Sequence, residues 1–582
     1  MIIMTAAHRS RATIRIRARV LSVFFIVFAL LLGVRLYFVQ IVHYESSQKK
    51  AMGQYMEADP DTIDRGSIYF SAKNDEIISA AVMQSGWRVA IHPADLLDPK
   101  AAYETLNTIT RIDRDRFMQS AGKRGDPYEE VAFRLDDTVA KAIRTKEIPG
   151  VILVHDQWRF YPGRSLAANV LGFVGYSGGT TKTGLYGLEN SYQDTLVHPT
   201  SNVSMNPFAE IFTSAQTLIT QDPSAHEGNI ITSIEPNVER QLEDTLDEVM
   251  EKYGSKSAGG IIMDPHTGEI IAMAVRPSFD PNTYNLEDNV AVFSNPMVSG
   301  RYELGSIMKP LTMAIGLDSG AVTPDTTYND RGCITVSTYK ICNFDLKARG
   351  VVPMQEVLSQ SLNVGSAYIA DKTGYAVFAK YMRAFGLGEK TDIDLPNEVT
   401  GDLSPLGEGH EADINYDTAA YGQGISVSPI AMVRALSALA NGGVLPNPHV
   451  VTAIKYDSGI IRAIDVPEGV AVIKPHTAST VTSMLVKVFD KELLKGELKQ
   501  ERYSIAAKTG TAQIPKPGGG YYPAGTYLHS FFGYFPAHDP RFIIFLFTIE
   551  PHGQQYASAT LARPFMTITQ YLINYYNIPP DR

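Results

Sequence analysis

Two groups of strand-like sequence lie far apart in this chain, and the stretch between them, residues 300–500, is mainly helical. The first group, residues 229–275, includes two apolar segments that flank a turn containing proline and glycine. The second group, residues 504–549, ends in a run that is apolar almost throughout, as in a strand covered on both faces. Residues 226–582 are therefore predicted to form an α+β domain, with one antiparallel sheet assembled from both ends and flanked by helices.

The chain has 582 residues, too many for one ordinary hydrophobic core, so two or three folded units are expected. Residues 43–225 mix short strand patterns at 86–91 and 150–154 with a helical pattern at 135–145. Glycine-rich turn clusters separate these segments. We predict that this region, called the pedestal below, is an irregular α+β domain without an evident catalytic set.

The N-terminus combines a basic tail, residues 1–19, with a long apolar run, residues 20–42. As a helix this run would span roughly 34 Å at about 1.5 Å per residue, which is enough to cross a bilayer. Five arginines in the tail precede the first acidic residue, Glu45. By the positive-inside rule they place the tail in the cytoplasm and the remainder of the chain outside.

A cleaved signal peptide is the alternative interpretation of the same segment. Its apolar core is shorter than this run and ends in a site of small residues. Here the first apolar stretch is followed by Arg35, Tyr37 and Phe38. The sequence therefore favours an uncleaved transmembrane helix.

The overall charge and composition exclude some functions. Apolar residues make up 44% of the chain and charged residues 20%, which is typical of a globular protein. A formal net charge of -10 argues against a nucleic-acid partner, because such partners require a basic surface. No sequence pattern indicates a cofactor.

Only two cysteines occur, Cys333 and Cys342. In an oxidising compartment this pair is a candidate for a small disulfide loop. A metal site is disfavoured, because two thiols do not complete a tetrahedral shell and no histidine lies between them. Two free thiols without a role remain the alternative.

Three short motifs occur in order within residues 226–582. They are Ser306-Ile307-Met308-Lys309, Ser361-Leu362-Asn363 and Lys508-Thr509-Gly510. This combination is typical of penicillin-binding proteins and class A β-lactamases. Each motif alone carries little weight, because the chain contains decoys for all three. The decoys are Ser46/Lys49, Ser47/Lys50 and Ser337/Lys340 for the first motif, Ser204/Asn206 for the second, and Lys182 and Lys372 for the third.

The local context separates the motifs from the decoys. Ser306 opens an apolar run that predicts a helix, and the i to i+3 spacing places the Lys309 ammonium on the same face as the serine hydroxyl. Lys182 is predicted to lie in a turn and Lys372 to end a helix. Only Lys508 continues a strand pattern, and a strand can pair with an extended peptide substrate.

From about residue 64 to its end the chain resembles the class B penicillin-binding proteins, the monofunctional D,D-transpeptidases of bacterial cell-wall synthesis. The resemblance extends beyond the three motifs. It includes Arg65-Gly66-Ser67-Ile68, Gly184-Leu185-Tyr186-Gly187-Leu188-Glu189, Met263-Asp264-Pro265-His266-Thr267-Gly268-Glu269-Ile270, Arg276-Pro277-Ser278-Phe279-Asp280-Pro281-Asn282, Gly422-Gln423-Gly424 and Asn441-Gly442-Gly443.

The resemblance implies a role for each motif residue. Ser306 is expected to attack the penultimate D-alanine carbonyl of a stem peptide, and Lys309 to take the proton of its hydroxyl. Ser361 is expected to relay a proton to the leaving D-alanine, and Asn363 to hold Lys309 or the substrate amide. Lys508 is expected to steer the substrate carboxylate.

Further along the third motif, Thr509, Gly510 and Thr511 are expected to bind substrate. The backbone N–H groups of Ser306 and Thr511 are expected to form the oxyanion hole. His529 is interpreted as a strand residue and not as a base.

The resemblance also implies a cellular setting. The expected partners are peptidoglycan stem peptides, β-lactam antibiotics, a polytopic glycosyltransferase and small bitopic division proteins. The expected location is the bacterial cytoplasmic (inner) membrane, with a septal role in cell division favoured. Alternatives are an elongation-type transpeptidase, a D,D-carboxypeptidase, a β-lactamase or a penicillin-sensing protein with the same active site.

Overall fold

The computed structural model describes residues 64–177, 181–198, 227–407, 413–456 and 459–582, apart from Asp75 and Ala524, together with five positions between 23 and 31. Ile63–His198 and Ala225–Arg582 form one compact unit. The predicted tail and membrane helix lie outside the described residues, except for those five positions, which are helical and exposed. Within the described part of the chain, no helix combines the length and the apolar character needed to cross a membrane.

The first part of the chain contains short strands and helices. Its strands are β1 (Asp64–Arg65), β2 (Ile68–Ser71), β3 (Ile77–Ile91), β4 (Glu129–Leu135), β5 (Val151–Phe160), β6 (Val174–Ser177), β7 (Thr181–Gly184) and β8 (Val197–His198). Its helices are α1 (Pro99–Asn107), α2 (Arg114–Gly122), α3 (Asp137–Arg144), α4 (Ala168–Leu171), α5 (Gly187–Ser191) and α6 (Gln193–Leu196).

The remaining strands begin after residue 227. They are β9 (Gly228–Thr232), β10 (Ser257–Met263), β11 (Ile270–Arg276), β12 (Thr327–Asp330), β13 (Cys333–Val336), β14 (Tyr339–Cys342), β15 (Gly350–Pro353), β16 (Val444–Leu445), β17 (Val451–Tyr456), β18 (Ile461–Ala463), β19 (Val470–Ala471), β20 (Ala506–Gln513), β21 (Tyr527–Phe535) and β22 (Phe542–Ile549).

Helices also belong to this second part. They are α7 (Pro236–Tyr253), α8 (Pro296–Ser299), α9 (Lys309–Asp318), α10 (Met354–Ser359), α11 (Asn363–Thr373), α12 (Tyr375–Ala384), α13 (Asp413–Ala419), α14 (Pro429–Ala440), α15 (Pro475–Lys487) and α16 (Ala557–Tyr576). Short 3₁₀ or π turns occur at Pro281–Leu286, Val290–Phe293, Gly305–Met308, Ser404–Leu406, Val488–Glu492 and Leu493–Gly496.

A five-stranded antiparallel sheet with the order β11-β10-β22-β21-β20 forms the centre of the second part. Its strands come from both ends of the region, and the long helical stretch lies between them in sequence. This topology confirms the α+β domain predicted from the two separated strand groups.

The position of strand β22 between two layers of helices explains why its sequence is apolar almost throughout. Phe542, Ile544 and Leu546 belong to one hydrophobic cluster, together with residues of α7 and α16. The intervening Ile543, Phe545 and Phe547 belong to another, together with residues of α9 and α14. Because successive side chains of a strand point to opposite faces, both faces of the sheet are covered by helices.

The pedestal shares a sheet with the second part of the chain. The strand order is β18-β17-β9-β2-β3-β4, with β5 also paired to β3. Strand β9 pairs in parallel with β2 and antiparallel with β17. The predicted boundary at residue 225 stays a prediction, and the sheet continues across it.

A buried ionic cluster joins two of the segments that carried the family resemblance. Glu189 is wholly buried, and its two carboxylate oxygens accept from Nε of Arg65 and Nε of Arg159. Nη1 of Arg159 also donates to the Gly66 carbonyl at 2.8 Å. The cluster therefore connects β1 and β5 to α5 within the pedestal.

One local prediction was wrong. Lys182 lies on strand β7, which pairs antiparallel with β6, and not in a turn. Its ammonium lies 5.6 Å from the ring centre of Tyr176, its cross-strand neighbour. The glycines around Lys182 indicated a turn, and the sequence pattern did not show that the strand pairing extends through Lys182.

Candidate active site

The third motif lies on β20, the last strand in the order of the central sheet, and this strand passes close to the chain just before Ser306. A Cβ atom on Gly510 would lie 2.5 Å from the Leu304 carbonyl oxygen and 2.3 Å from Ser530 Oγ. Only glycine permits this approach. The glycine of the third motif therefore allows the Lys508 strand to lie against the Ser306 segment.

Ser306 lies in the 3₁₀ turn Gly305–Met308, and helix α9 begins at Lys309. The α-helix therefore begins one turn later than predicted, at Lys309 and not at Ser306. Gly305 has a φ of 65°, and its N–H donates to the Gly422 carbonyl at 3.1 Å. Pro310 is tolerated because it occupies the first turn of α9, where a missing N–H costs no helical hydrogen bond.

Lys309 is only 1% exposed, and its ammonium makes three hydrogen bonds to the second motif. Nζ donates to the Ser361 carbonyl at 2.6 Å, to Ser361 Oγ at 3.2 Å and to Asn363 Oδ1 at 2.7 Å. All three acceptors are neutral, so no carboxylate compensates the charge among these contacts.

Ser361 lies between the two lysines of the site. Its Oγ accepts from Lys309 Nζ at 3.2 Å and from Lys508 Nζ at 3.0 Å. Ser361 connects α10 to α11 with a φ of 55°, a left-handed conformation that is rare for a residue with a side chain. Strained backbone of this kind concentrates at functional sites, where the surrounding structure enforces it.

The burial of both lysines makes their ammonium forms unstable. Burial lowers the pKa of Lys309 well below its ordinary value, and the nearby Lys508 charge lowers this pKa further. Burial also lowers the pKa of Lys508, to about 7. A neutral amine at position 309 is a base that can accept the proton of a serine hydroxyl.

The Ser306 hydroxyl makes no hydrogen bond to any other described residue, and Ser306 is half-buried. Its turn abuts β20, because a Cβ atom on Gly305 would lie 3.1 Å from the Thr511 carbonyl oxygen. The structure thus brings together all three motifs, with Ser306 one turn before Lys309 and beside the strand that carries Lys508.

The family model of the penicillin binding protein transpeptidase domain matches residues 258–568, more than half of the chain. The chain is a class B penicillin-binding protein. Its activity is that of a serine-type peptidoglycan D,D-transpeptidase.

Several known proteins are similar over most of the chain. Penicillin-binding protein PbpB of Mycolicibacterium smegmatis is 29% identical over 471 residues, 79% of this chain and 71% of that one. Stage V sporulation protein D of Bacillus subtilis is 27% identical over 564 residues, 96% of this chain and 85% of that one. The crystal structure of penicillin binding protein 3 from Mycobacterium tuberculosis, complexed with aztreonam, has the same fold. It has a TM-score of 0.66 at 23% identity, and the match covers 89% of this chain and 98% of that one.

The remaining predicted substrate-binding residues of this transpeptidase lie along β20. Thr509 and Thr511 are half-buried, and Gly510 is buried between them. The Thr509 carbonyl accepts from Lys508 Nζ at 3.1 Å. Thr511 Oγ1 accepts from the Ala557 N–H at 3.1 Å, which ties the end of the motif to the start of α16.

Cys333 and Cys342 form a disulfide that closes the hairpin of β13 and β14. The decoy Ser337 lies in the turn of this hairpin. Asn363 of the second motif donates from Nδ2 to the Cys342 carbonyl at 2.9 Å. The disulfide is therefore separated from Lys309 by one side chain, a proximity that the sequence did not indicate.

Sequence reasoning also missed two residues next to this hairpin, Asp330 and Asn343. Both are buried polar side chains, 0% and 1% exposed. The only signal in the sequence is that each lies close to a cysteine, which does not identify a partner. His529, by contrast, is a buried strand residue as interpreted, and burial lowers its pKa to about 4.

Proposed function

We propose that Ser306 is the residue acylated by the donor stem peptide and that Lys309 is its general base. The observation that carries the proposal is the burial of Lys309 beside Lys508, with only neutral acceptors on its ammonium. Neutral Lys309 removes the hydroxyl proton as Ser306 Oγ attacks the penultimate D-alanine carbonyl. A serine hydroxyl is a weak nucleophile without such a base.

The negative charge that develops on the carbonyl oxygen is stabilised by the backbone N–H groups of Ser306 and Thr511. In a comparable enzyme, the loss of one oxyanion donor costs about 3–4 kcal/mol. When the bond between the carbonyl carbon and the terminal D-alanine nitrogen breaks, that nitrogen needs a proton. Ser361 Oγ contacts both lysines, so it passes a proton from Lys309 to the leaving D-alanine.

The donor peptide lies along the edge of β20 that pairs with no other strand of the described residues. Lys508 and Thr509 bind its terminal carboxylate, while the strand pairs with its extended backbone. After D-alanine leaves, the amine of a second stem peptide attacks the acyl-serine ester. Ser306 Oγ is released and recovers a proton, and the new amide is the cross-link.

We propose that β-lactams acylate the same serine. Support comes from the relative of known structure that is complexed with aztreonam and has the same fold. A β-lactam presents a strained amide in place of the D-alanyl amide, so the same nucleophile, base and oxyanion hole serve both reactions.

The experiment is covalent labelling with a fluorescent penicillin, compared between Ser306→Ala and Ser337→Ala. Ser337 also precedes a lysine by three positions, but it lies in the hairpin turn and provides the matched control. We expect Ser306→Ala to lose labelling and Ser337→Ala to keep it. Labelling of Ser306→Ala at the wild-type rate would end the assignment.

We also propose that residues 20–42 anchor the protein in the inner membrane, with the transpeptidase domain outside the cytoplasm. The support is the basic tail followed by an apolar run of sufficient length. Protease treatment of intact spheroplasts tests the orientation. Degradation of the domain from outside is expected, and complete protection would contradict it.

A septal role in cell division is our proposal for its cellular function, on the resemblance around the pedestal. A polytopic glycosyltransferase and small bitopic division proteins would be its partners. Similarity to stage V sporulation protein D over 96% of the chain favours a spore-forming role as the second candidate. A fluorescent fusion at midcell in growing cells supports the first role, and a signal restricted to sporulating cells supports the second.

A further inference from the structure

The disulfide hairpin is attached to the helix that carries the second motif. Cys333 and Cys342 are cross-strand partners at the open end of the hairpin, and the disulfide joins them there. On its apolar side, Ile341 packs with Ala367 of α11 and with Tyr421. The hairpin thus lies against the first turns of α11, which begins at Asn363.

Two hydrogen bonds connect the end of the hairpin to the start of α11. Asn363 Nδ2 donates to the Cys342 carbonyl at 2.9 Å. The Val364 N–H donates to Asn343 Oδ1 at 3.2 Å and thereby gains a partner that the first helical turn does not provide. Cys342 and its neighbour Asn343 therefore hold the backbone and the side chain of the second motif.

Asn343 is fixed in turn by a carboxylate. Its Nδ2 donates to both carboxylate oxygens of Asp330, at 2.9 and 3.0 Å. Asp330 is wholly buried and also accepts from the Gly332 N–H at 3.0 Å and the Arg349 N–H at 3.2 Å. Four hydrogen bonds from three donor groups hold this buried carboxylate in place, so it is a rigid partner for Asn343.

The amide of Asn363 has two chemically different ends, and each end has a different partner. Its NH₂ group faces the Cys342 carbonyl, and its oxygen accepts from Lys309 Nζ at 2.7 Å. If the amide turned over, two donors would face each other at Lys309. The Cys342 carbonyl therefore determines that the amide presents its acceptor to the catalytic lysine.

We propose that Asn343 and the Cys333–Cys342 disulfide position Lys309 through Asn363, so that the acylation rate depends on the redox state of this pair. The inference rests on the proposed role of Lys309 as the base. Asn343 is a positioning residue and touches no reacting atom. Opening the disulfide leaves the apolar packing of the hairpin in place, but it frees the Cys342 carbonyl to move and loosens the Asn363 amide.

The experiment measures the second-order rate constant of acylation by a fluorescent penicillin as a function of pH. The full-length protein is compared in its oxidised form, after reduction with a phosphine, as Cys333→Ser/Cys342→Ser and as Asn343→Ala. The matched control is Tyr339→Ala, because Tyr339 is 60% exposed near the hairpin turn and lies outside the hydrogen-bond chain. The phosphine is also added to the double-serine variant, which it must leave unchanged.

We expect the plateau rate to fall roughly tenfold in the reduced, double-serine and Asn343→Ala forms, the factor given by about one misaligned hydrogen bond. Reoxidation restores the rate of the reduced wild type only. The acid limb of the profile, where the rate rises with pH as Lys309 loses its proton, moves to lower pH. The Asn363 oxygen stabilises the ammonium form of Lys309, so the loss of this hydrogen bond lowers the pKa of Lys309. A merely structural role would lower the unfolding temperature and leave this limb in place.

Wild-type rates and an unmoved acid limb in the reduced and double-serine forms would overturn the role of the disulfide. The same result in Asn343→Ala would overturn the positioning chain altogether. If Asn343→Ala does not fold, the rates of the reduced and double-serine forms decide whether the proposal holds. In all of these outcomes Ser306→Ala is still expected not to be labelled by the penicillin. A failure of the proposed function is different, because Ser306→Ala would then be labelled.

Discussion

Two buried charge clusters in this protein are built in opposite ways. In the pedestal, the Glu189 carboxylate is bound by Nε of Arg65 and of Arg159, so charges of opposite sign meet. In the active site, Lys309 and Lys508 share the Ser361 hydroxyl, so two groups of the same sign meet.

The pKa values of the two clusters differ accordingly. Burial alone would raise the pKa of Glu189, but Arg159 and Arg65 hold it below its ordinary value, so the carboxylate keeps its charge. Burial lowers the pKa of both lysines, and the Lys508 charge adds to the effect at Lys309. A paired cluster holds the fold together, whereas an unpaired one provides a group that exchanges protons.

The largest expected effect is on catalysis and follows from removing the base. Lys309→Gln keeps a polar side chain of similar reach, but its amide cannot accept the Ser306 proton. We expect the rate constant of penicillin acylation to fall by about a thousandfold, within the usual contribution of a general base. Lys372→Gln, in the decoy motif at the end of α11, is the matched control and retains the rate. A loss of less than tenfold in Lys309→Gln would mean that another group is the base.

A substitution in the paired cluster of the pedestal is expected to lower the stability of the fold instead. Glu189→Gln leaves two buried guanidinium groups without a counter-charge, and breaking a buried ion pair in this way costs about 3–5 kcal/mol. We expect a lower unfolding midpoint in urea, with an unchanged acylation rate constant for the folded protein.

Glu130→Gln is the control for this comparison. Glu130 pairs with Arg88, but its side chain is 28% exposed, so water compensates part of the loss. If Glu189→Gln and Glu130→Gln were destabilised equally, burial would not be the reason for the strength of the pedestal cluster.

The contrast between local and long-range information also decides what the sequence predicts. The apolar run of β22 and the turn between β10 and β11 are local patterns, and they led to the central sheet without a structure. Apart from Lys182, the decoys were separated from the three motifs because helix and strand context is also largely local. Lys182 was assigned wrongly because the surrounding glycines indicated a turn, whereas the residue belongs to a strand that pairs with β6.

The part of the active site that the sequence did not predict consists of contacts between distant segments. Asp330 and Asn343 are ordinary polar residues in the sequence. Their role follows only from the contacts of β12 and the hairpin with α11. The left-handed backbone of Ser361 is likewise imposed by its position between two helices and two lysines. Neither feature follows from residue type or spacing, since both depend on tertiary packing.

The third prediction distinguishes the effect of the Lys508 charge on the pKa of Lys309 from the effect of burial. Lys508→Met removes the charge that lowers the pKa of Lys309, so this pKa rises. We expect the acid limb of the acylation profile to move to higher pH by up to about one unit, the size of a single neighbouring charge. Lys508→Arg keeps the positive charge and serves as the control, with a smaller displacement. A limb that does not move in Lys508→Met would show that burial alone sets the pKa of Lys309.

The fourth prediction concerns the pH dependence of stability. The pKa of Lys508 is about 7 in the folded protein, and the ordinary value is 10.5. Between these values the unfolded chain binds a proton that the folded chain lacks, so the free energy of unfolding rises with pH. One such proton gives a slope of at most about 1.4 kcal/mol per pH unit. Below pH 7 both states are protonated, and the cost of the buried charge is constant.

Lys508→Met therefore unfolds at higher urea concentration than the wild type at neutral pH, and this advantage shrinks as the pH rises. Lys516→Met, in the exposed loop after β20, is the control for the loss of a lysine charge at an exposed position. Urea unfolding at several pH values measures both differences. If the advantage of Lys508→Met were the same at neutral and alkaline pH, Lys508 would titrate as it does in the unfolded chain. The active-site cluster would then be compensated like the pedestal cluster, and the contrast between the two would be lost.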